Sequence, residues 1–286
     1  MNNSTYSSKL FEMLPISAVV FTKNEASNIK DCLLSLSNFS EVVVVDSLSE
    51  DDTCLIANRF GARVVNFDWN KQYPKKRQWC LQEINYINEW ILFVDADERV
   101  NQDLVDEISN FLINQSSIYS AASIPIEYYF AKKLLKHGQK PRKTVLLRVG
   151  SAYFPVIDDL TSHGMGELEG HYQPTIRGRI KKFKNGISHN DNDPISTWMI
   201  RHVNYAKWEA HLLLNTSAKI EVDKSKGIIA SIFHKLPFRP LIFFIYSYLI
   251  KLGFLDGKAG FDYAFAKSWY YWLSRVIAIE SNKNES

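Results

Sequence analysis

Trp90-Ile91-Leu92-Phe93-Val94-Asp95-Ala96-Asp97-Glu98 is a run of apolar, β-favouring residues that ends abruptly in carboxylates. The pattern predicts a strand buried on both faces, as in a parallel sheet, with its acidic end at the C-terminal edge. In an extended chain the side chains at i and i+2 point the same way, so Asp95 and Asp97 converge. Two such groups repel unless a cation lies between them, and hard oxygen ligands suit Mg²⁺ or Mn²⁺. The ion would in turn clamp a diphosphate. The alternative is that both aspartates begin the next turn and cap a helix near Asn101, a job Asp often does. Taken alone, the triplet leaves both readings open.

The residues before it repeat one theme. Ile16 to Phe21 is a short apolar strand, followed by the polar loop Thr22-Lys23-Asn24-Glu25 and a helical pattern with Ile29, Leu33, Leu34 and Leu36 on one face. Glu41 to Asp46 holds a second strand that ends on Asp46. Ser49-Glu50-Asp51-Asp52 then has capping-box spacing, and Gly61 suits the position just past the end of the helix. Ala62 to Phe67 is a third strand, and Tyr73 to Arg77 leads into a helix with Trp79, Leu81 and Ile84. Strands and helices alternating at this interval predict an α/β fold with a parallel sheet covered on both faces. Ligands then bind at the carboxyl ends of the strands. The first strand is not followed by G-x-G-x-x-G, and no G-x-x-x-x-G-K-[ST] occurs, which argues against a dinucleotide fingerprint and a P-loop.

A chain of 286 residues, 46% of them hydrophobic, can bury a full core. Its net charge of +3 is too small to imply nucleic-acid binding. From Ala131 to Ile157 the charged side chains are Lys132, Lys133, Lys136, Lys140, Arg142, Lys143 and Arg148, a run that reads first as a solvated face and second as a contact for anionic substrate or lipid headgroups. Cys32, Cys54 and Cys80 form no C-x-x-C pair, which fits a reducing compartment. The first fourteen residues lack an apolar stretch behind basic residues, so a cytoplasmic location is expected.

Val19-Val20-Phe21-Thr22-Lys23-Asn24-Glu25, Val43-Val44-Val45-Asp46-Ser47-Leu48-Ser49-Glu50-Asp51-Asp52-Thr53 and Phe93-Val94-Asp95-Ala96-Asp97-Glu98 together resemble the family 2 glycosyltransferases of the GT-A fold. The order and spacing match from about Ile16 to Leu112. Within that family the chain is similar to bacterial enzymes that extend lipopolysaccharide core or other surface glycans. A weaker similarity continues through Glu167-Leu168-Glu169-Gly170-His171-Tyr172-Gln173-Pro174 and Leu255 to Gly260.

The resemblance implies a Rossmann-like, mostly parallel sheet flanked by helices in a catalytic domain over 15–192. Its nucleotide-sugar half would span 15–113 and its acceptor half 114–192, with a flexible segment 1–14 before it and a helical extension over 193–286. Thr22, Asn24 and Glu25 would line the nucleotide pocket, and Asp46 would accept hydrogen bonds from the base or ribose. Lys76 and Arg77 would lie near the nucleotide or diphosphate, and Asp95 and Asp97 would hold the metal and the ribose. The plain alternatives are a strand-end turn for Asp46 and a solvated helix turn for Lys76 and Arg77. The implied activity is inverting, metal-dependent transfer of a sugar from a nucleotide diphosphate donor, a UDP-sugar first among them. The acceptor would be a hydroxyl of a glycan or lipid-linked molecule in bacterial envelope polysaccharide synthesis. A nucleotidyltransferase and a non-catalytic membrane-associated scaffold are the competing readings.

The second half is less legible. The resemblance implies a general base beyond the metal strand, among Asp158, Asp159, Glu167 and Glu169, with Glu169 first and Asp159 second. Asp193-Pro194 reads as a helix start, and the aromatic stripe through Trp198, His202, Tyr205 and Trp208 reads first as core and second as a sugar platform. Leu241 to Ile250 is almost wholly apolar, but a ten-residue helix reaches only about 15 Å. It cannot cross a hydrocarbon core of about 30 Å. Flanked by Lys235, Arg239, Lys251 and Lys258, it can lie in the interface at the inner face of the membrane, or pack on the catalytic domain.

Overall fold

The computed structural model describes residues 13–160, 162, 166–169, 172–189, 194–226, 236 and 238–284. Expectations resting on the first twelve residues, His171, Asp193 and Lys235 lie outside the described residues.

Strands β1 (Leu14–Thr22), β2 (Phe39–Asp46), β3 (Arg63–Asn66) and β4 (Trp90–Asp95) alternate with helices α1 (Ile29–Ser35), α2 (Thr53–Arg59) and α3 (Lys76–Glu83). All four strands are parallel, in the order β3-β2-β1-β4. Their registers pair Thr22 with Asp46 and Phe21 with Asp95, so the three polar strand ends share one edge. The apolar runs fill the space between the helical layers: Val19, Val43, Val44, Val45, Ile91 and Leu92 have no exposed surface. Burying each such side chain is worth roughly 1.5–3 kcal/mol.

Beyond β4 the sheet becomes mixed. The next elements are β5 (Glu98–Val100), α4 (Gln102–Asn114), β6 (Ala121–Phe130), β7 (Lys133–Leu134) and β8 (Arg142–Arg148). β8 enters antiparallel between β4 and β6. β9 (Ala152–Tyr153) and β10 (Thr175–Ile176) form a separate ribbon, while β11 (Ile180–Lys182) and β12 (Ile187–His189) run parallel to β6. β12 also pairs antiparallel with β5, setting His189 opposite Glu98. The main order is β3-β2-β1-β4-β8-β6-β12-β5, an α/β fold as read from the sequence.

Two local expectations change. Ser49 does not cap α2: its amide and hydroxyl both bond to the Asp46 carboxylate, and Asp51 instead accepts the Thr53 amide at 3.0 Å. Helix α5 (Ile195–Leu214) starts one residue after Pro194, which is extended. Gly61 does take the left-handed conformation expected of it, at φ 78°.

The C-terminal helices are α5, α6 (Thr216–Lys226), α7 (Arg239–Phe244) running into a wide turn over Ile245–Ile250, a short 3₁₀ turn at Gly253–Asp256, and α8 (Lys258–Asn284). They share a core with the sheet, since Phe130 and Leu135 pack with Trp198, Tyr263 and Ala266. Asp256 fastens the join by accepting the amides of Lys136 at 3.2 Å and His137 at 2.8 Å. Gly260 permits it, because a Cβ there would meet the Gly253 carbonyl oxygen at 1.9 Å. Among the described residues no helix is long and apolar enough to cross a membrane.

Candidate functional site

The edge where β1, β2 and β4 end opens into a cleft of about 1270 Å³. Thr22, Glu25, Lys76, Arg77, Asp95, Asp97 and Glu169 line it. Asn24, Asp46 and Asp159 are not among the described lining residues, and each has a traceable structural job.

Asp46 is buried. It accepts from Thr22 Oγ1 at 2.7 Å, Ser49 N at 2.7 Å and Ser49 Oγ at 2.6 Å. Burial alone would raise its carboxyl, but these hydrogen bonds outweigh that and hold it below the ordinary range. Asn24 adopts φ 56°, a conformation Asn tolerates, and its Oδ1 accepts the Glu50 amide at 2.9 Å. Asp46 and Asn24 thus shape the two loops that carry Thr22 and Glu25 to the cleft.

Lys76 and Arg77 are no solvated turn. Lys76 Nζ is buried and donates to the Thr22 carbonyl at 3.0 Å and to Ser47 Oγ at 2.5 Å, which ties α3 to the ends of β1 and β2. Burial lowers its ammonium, although Glu167 at 3.7 Å partly offsets the shift. Arg77 reaches Asp95 Oδ1 at 3.2 Å, with its guanidinium over the Phe21 ring at 5.5 Å.

Asp95 has a second cation that sequence reasoning missed. Lys143, from the basic run, enters on β8 and donates at 2.6 Å to both Asp95 Oδ2 and Glu98 Oε1. Burial would raise the Asp95 carboxyl, but Lys143 and Arg77 hold it far below the usual range. Glu98 is more deeply buried, and there desolvation wins and pushes its carboxyl up. The helix-cap alternative for the aspartates fails, because Asn101 itself caps α4 by accepting the Leu104 amide at 2.9 Å.

Of the expected metal pair, Asp95 has both oxygens facing cations, Arg77 at 3.2 Å and Lys143 at 2.6 Å, whereas Asp97 has neither. Beside Asp95, the groups that could hold a cation are Asp97 and His189. Asp97 Oδ1 lies 3.4 Å from His189 Nδ1, a buried nitrogen with no hydrogen bond of its own. Burial would lower the imidazole, but the Asp97 and Glu98 carboxylates outweigh it and hold it above its ordinary value. Among the described residues no three His, Cys, Asp or Glu side chains gather as a complete metal cage. A carboxylate beside an imidazole suits an ion that keeps open positions for diphosphate oxygens and water. The β5–β12 register brings His189 there, and its tripeptide Ile187-Ser188-His189 carries no motif that would have revealed it.

The two candidate bases sit in different surroundings. Glu169 Oε2 and Oε1 accept the amides of Arg77 at 2.9 Å and Gln78 at 2.8 Å, while the Glu167 carbonyl accepts that of Lys76 at 2.9 Å. Residues 167–169 thus close the N-terminus of α3, where unpaired N–H groups and the helix dipole favour a carboxylate. Even so, burial raises the Glu169 carboxyl against those bonds. Asp159 pairs with Lys75 at 2.8 Å and accepts from Tyr73 Oη at 2.6 Å and Trp208 Nε1 at 3.1 Å. That buried arrangement gives Asp159 a structural ion-pair partner in Lys75.

The "Glycosyl transferase family 2" profile matches residues 17–183. An uncharacterized glycosyltransferase of Rickettsia felis is 38% identical over 133 residues, covering 46% of this chain and 44% of the relative. The chain thus matches less than half the length of that protein. A lipopolysaccharide core biosynthesis glycosyltransferase, LpsC of Rhizobium meliloti, is 22% identical over 96% of this chain and 97% of its own. Among solved structures, glucosyl-3-phosphoglycerate synthase from Mycobacterium tuberculosis with Mn²⁺ and UDP is 25% identical over 40% of this chain and 44% of that one, with a TM-score of 0.31.

Proposed function

The chain belongs to glycosyl transferase family 2, and from that premise we propose that it transfers a sugar, with inversion, from a nucleotide diphosphate donor to an acceptor hydroxyl. A UDP-sugar is the first candidate donor, and a glycan or lipid-linked molecule the acceptor. The observation that carries the proposal is the Asp97–His189 pair, 3.4 Å apart, at the edge where three parallel strands end. The full-length likeness to the Rhizobium core enzyme supports a role in bacterial envelope polysaccharide synthesis.

Thr22, Glu25, Lys76 and Arg77 line the nucleotide end of the cleft. Asp97 and His189 would hold a divalent cation, which when bound supplies Lewis-acid neutralisation of the leaving diphosphate. Arg77 and Lys143 add fixed positive charge beside the same place, ready before charge develops. Glu169 lines the cleft with a carboxyl pushed up by burial, the property a proton acceptor needs. One base and one displacement invert the anomeric centre. Exposed Leu241, Leu249, Ile250 and Leu255, with Lys251 and Lys258 nearby, support peripheral attachment to the inner face of a membrane.

Calorimetric titration of UDP with and without Mn²⁺ tests the core of this reading. Binding should depend on the metal in the wild type and weaken by about tenfold or more in His189→Ala, as loss of a ligand requires. Metal-independent binding of equal strength in both proteins would overturn the assignment.

A further inference from the structure

Beyond the donor end the same cleft runs between α5, α7 and α8, walled by Trp198, Ile242, Tyr246 and Ile250. Lys267 projects into this stretch, which Arg201, His202, Glu209 and Arg239 also line. Its Nζ lies 5.0 Å from the Tyr270 ring centre and 3.5 Å from His202 Nε2, and no described carboxylate is within ion-pairing distance. The acid that attracts it, Glu209, is already bound to Arg239 at 2.8 Å. Burial pushes the Lys267 ammonium down to about 8, so the site holds a charge without a matching counter-charge.

The pocket is also coupled to the donor end. His202 stacks on Trp198 at 3.5 Å, Trp198 Nε1 donates to Tyr128 Oη at 2.9 Å, and Tyr128 stacks on His189 at 5.3 Å. Two stacked ring pairs and one hydrogen bond thus link the Lys267 end of the cleft to His189.

We propose that Lys267, with His202 and Arg239 beside it, forms a subsite for a phosphate group on an amphiphilic acceptor whose apolar chain lies along the α7 wall. The inference rests on the glycosyl-transfer reading of the cleft and deepens it by naming the acceptor class. A phosphate supplies the counter-charge that Lys267 lacks, in a setting poor in water where such a pair is strengthened. The apolar wall gives the attached chain a place to bury, which a free phosphate or a simple sugar phosphate does not use.

The test follows intrinsic fluorescence, with Trp198 beside the subsite, during titration with dodecyl phosphate, inorganic phosphate and the neutral dodecyl maltoside. Dodecyl phosphate should bind about tenfold or more tighter than either comparison compound, as a charge-assisted contact plus an apolar one requires. Lys267→Met should lose about tenfold in that affinity, and Lys267→Arg, which keeps the charge, should recover most of it. Equal binding of the maltoside would overturn the anionic half, and equal binding of inorganic phosphate the lipid half. Unchanged binding by a Lys267→Met protein that melts normally would overturn the site. The UDP and Mn²⁺ titration of the wild type is read separately, so failure of the donor reading is distinguishable from failure of this one.

Discussion

Asp159→Asn separates a structural carboxylate from a catalytic one. The Lys75 and Asp159 side chains are 1% and 0% exposed and 2.8 Å apart, and Asp159 is the one described carboxylate in ion-pairing reach of Lys75. Asparagine keeps the shape but only one acceptor oxygen, so it loses one of the two bonds accepted from Tyr73 and Trp208 together with the charge that balances a buried ammonium. Removing one partner of a buried pair costs about 3–5 kcal/mol. At about 2–4 °C per kcal/mol for a domain of this size, the melting temperature should fall by about 6–20 °C. Replacing both partners, as Lys75→Met with Asp159→Asn, should restore most of that loss, because no charge is then left alone. Differential scanning calorimetry of the three variants and wild type reads the cycle directly. An Asp159→Asn protein that melts with the wild type yet releases UDP from a UDP-sugar about a hundredfold more slowly would refute the structural reading and restore Asp159 as the base.

Asp97→Asn should reduce sugar transfer by roughly a thousandfold, since it removes a proposed cation ligand; a folded variant within tenfold of wild type in a UDP-release assay rules that role out. Glu169→Gln should lower transfer by roughly a hundredfold with UDP affinity nearly unchanged, and circular dichroism will show whether α3 survives the altered cap. Lys143→Met leaves Glu98 buried without its ammonium, so stability should drop by about 3 kcal/mol in urea unfolding, and adding Glu98→Gln should return most of it. Serine at the exposed Leu241, Leu249 and Ile250 should move the protein from anionic liposomes into the supernatant on sedimentation. Phe243 is unsuitable for that test, because it is buried against Tyr271.

The part of the site that lies within single βα units was legible in the sequence. An apolar run ending in a carboxylate predicts both the strand and the place where the carboxylate sits, and Asp46 and Asp95 follow from that rule. What was not legible depends on pairings between distant segments. Lys143 looked like one lysine in a solvated run, and only the antiparallel insertion of β8 next to β4 carries it to Asp95, 48 residues away. His189 is separated from Asp97 by the whole second half of the sheet, and a three-residue register with β5 brings them together. The motif around Glu169 points to its place beyond the metal strand, whereas the amides of α3 that it closes belong to a helix 92 residues earlier.

These late arrivals change how the acidic cluster works. Asp95, Asp97 and Glu98 alone would be a strongly negative site, able to hold a cation but repelling a diphosphate. Arg77 and Lys143 neutralise two of those charges through contacts of 3.2 Å and 2.6 Å, and Asp97 is the carboxylate they leave over. A divalent ion on Asp97 and the neutral form of His189 would then turn the local balance positive, which is the sign a leaving diphosphate requires. On the proposed reading the two cations on Asp95 would then serve donor recognition as much as the acidic triplet itself. Their removal should weaken UDP binding even where Asp97 and His189 are intact.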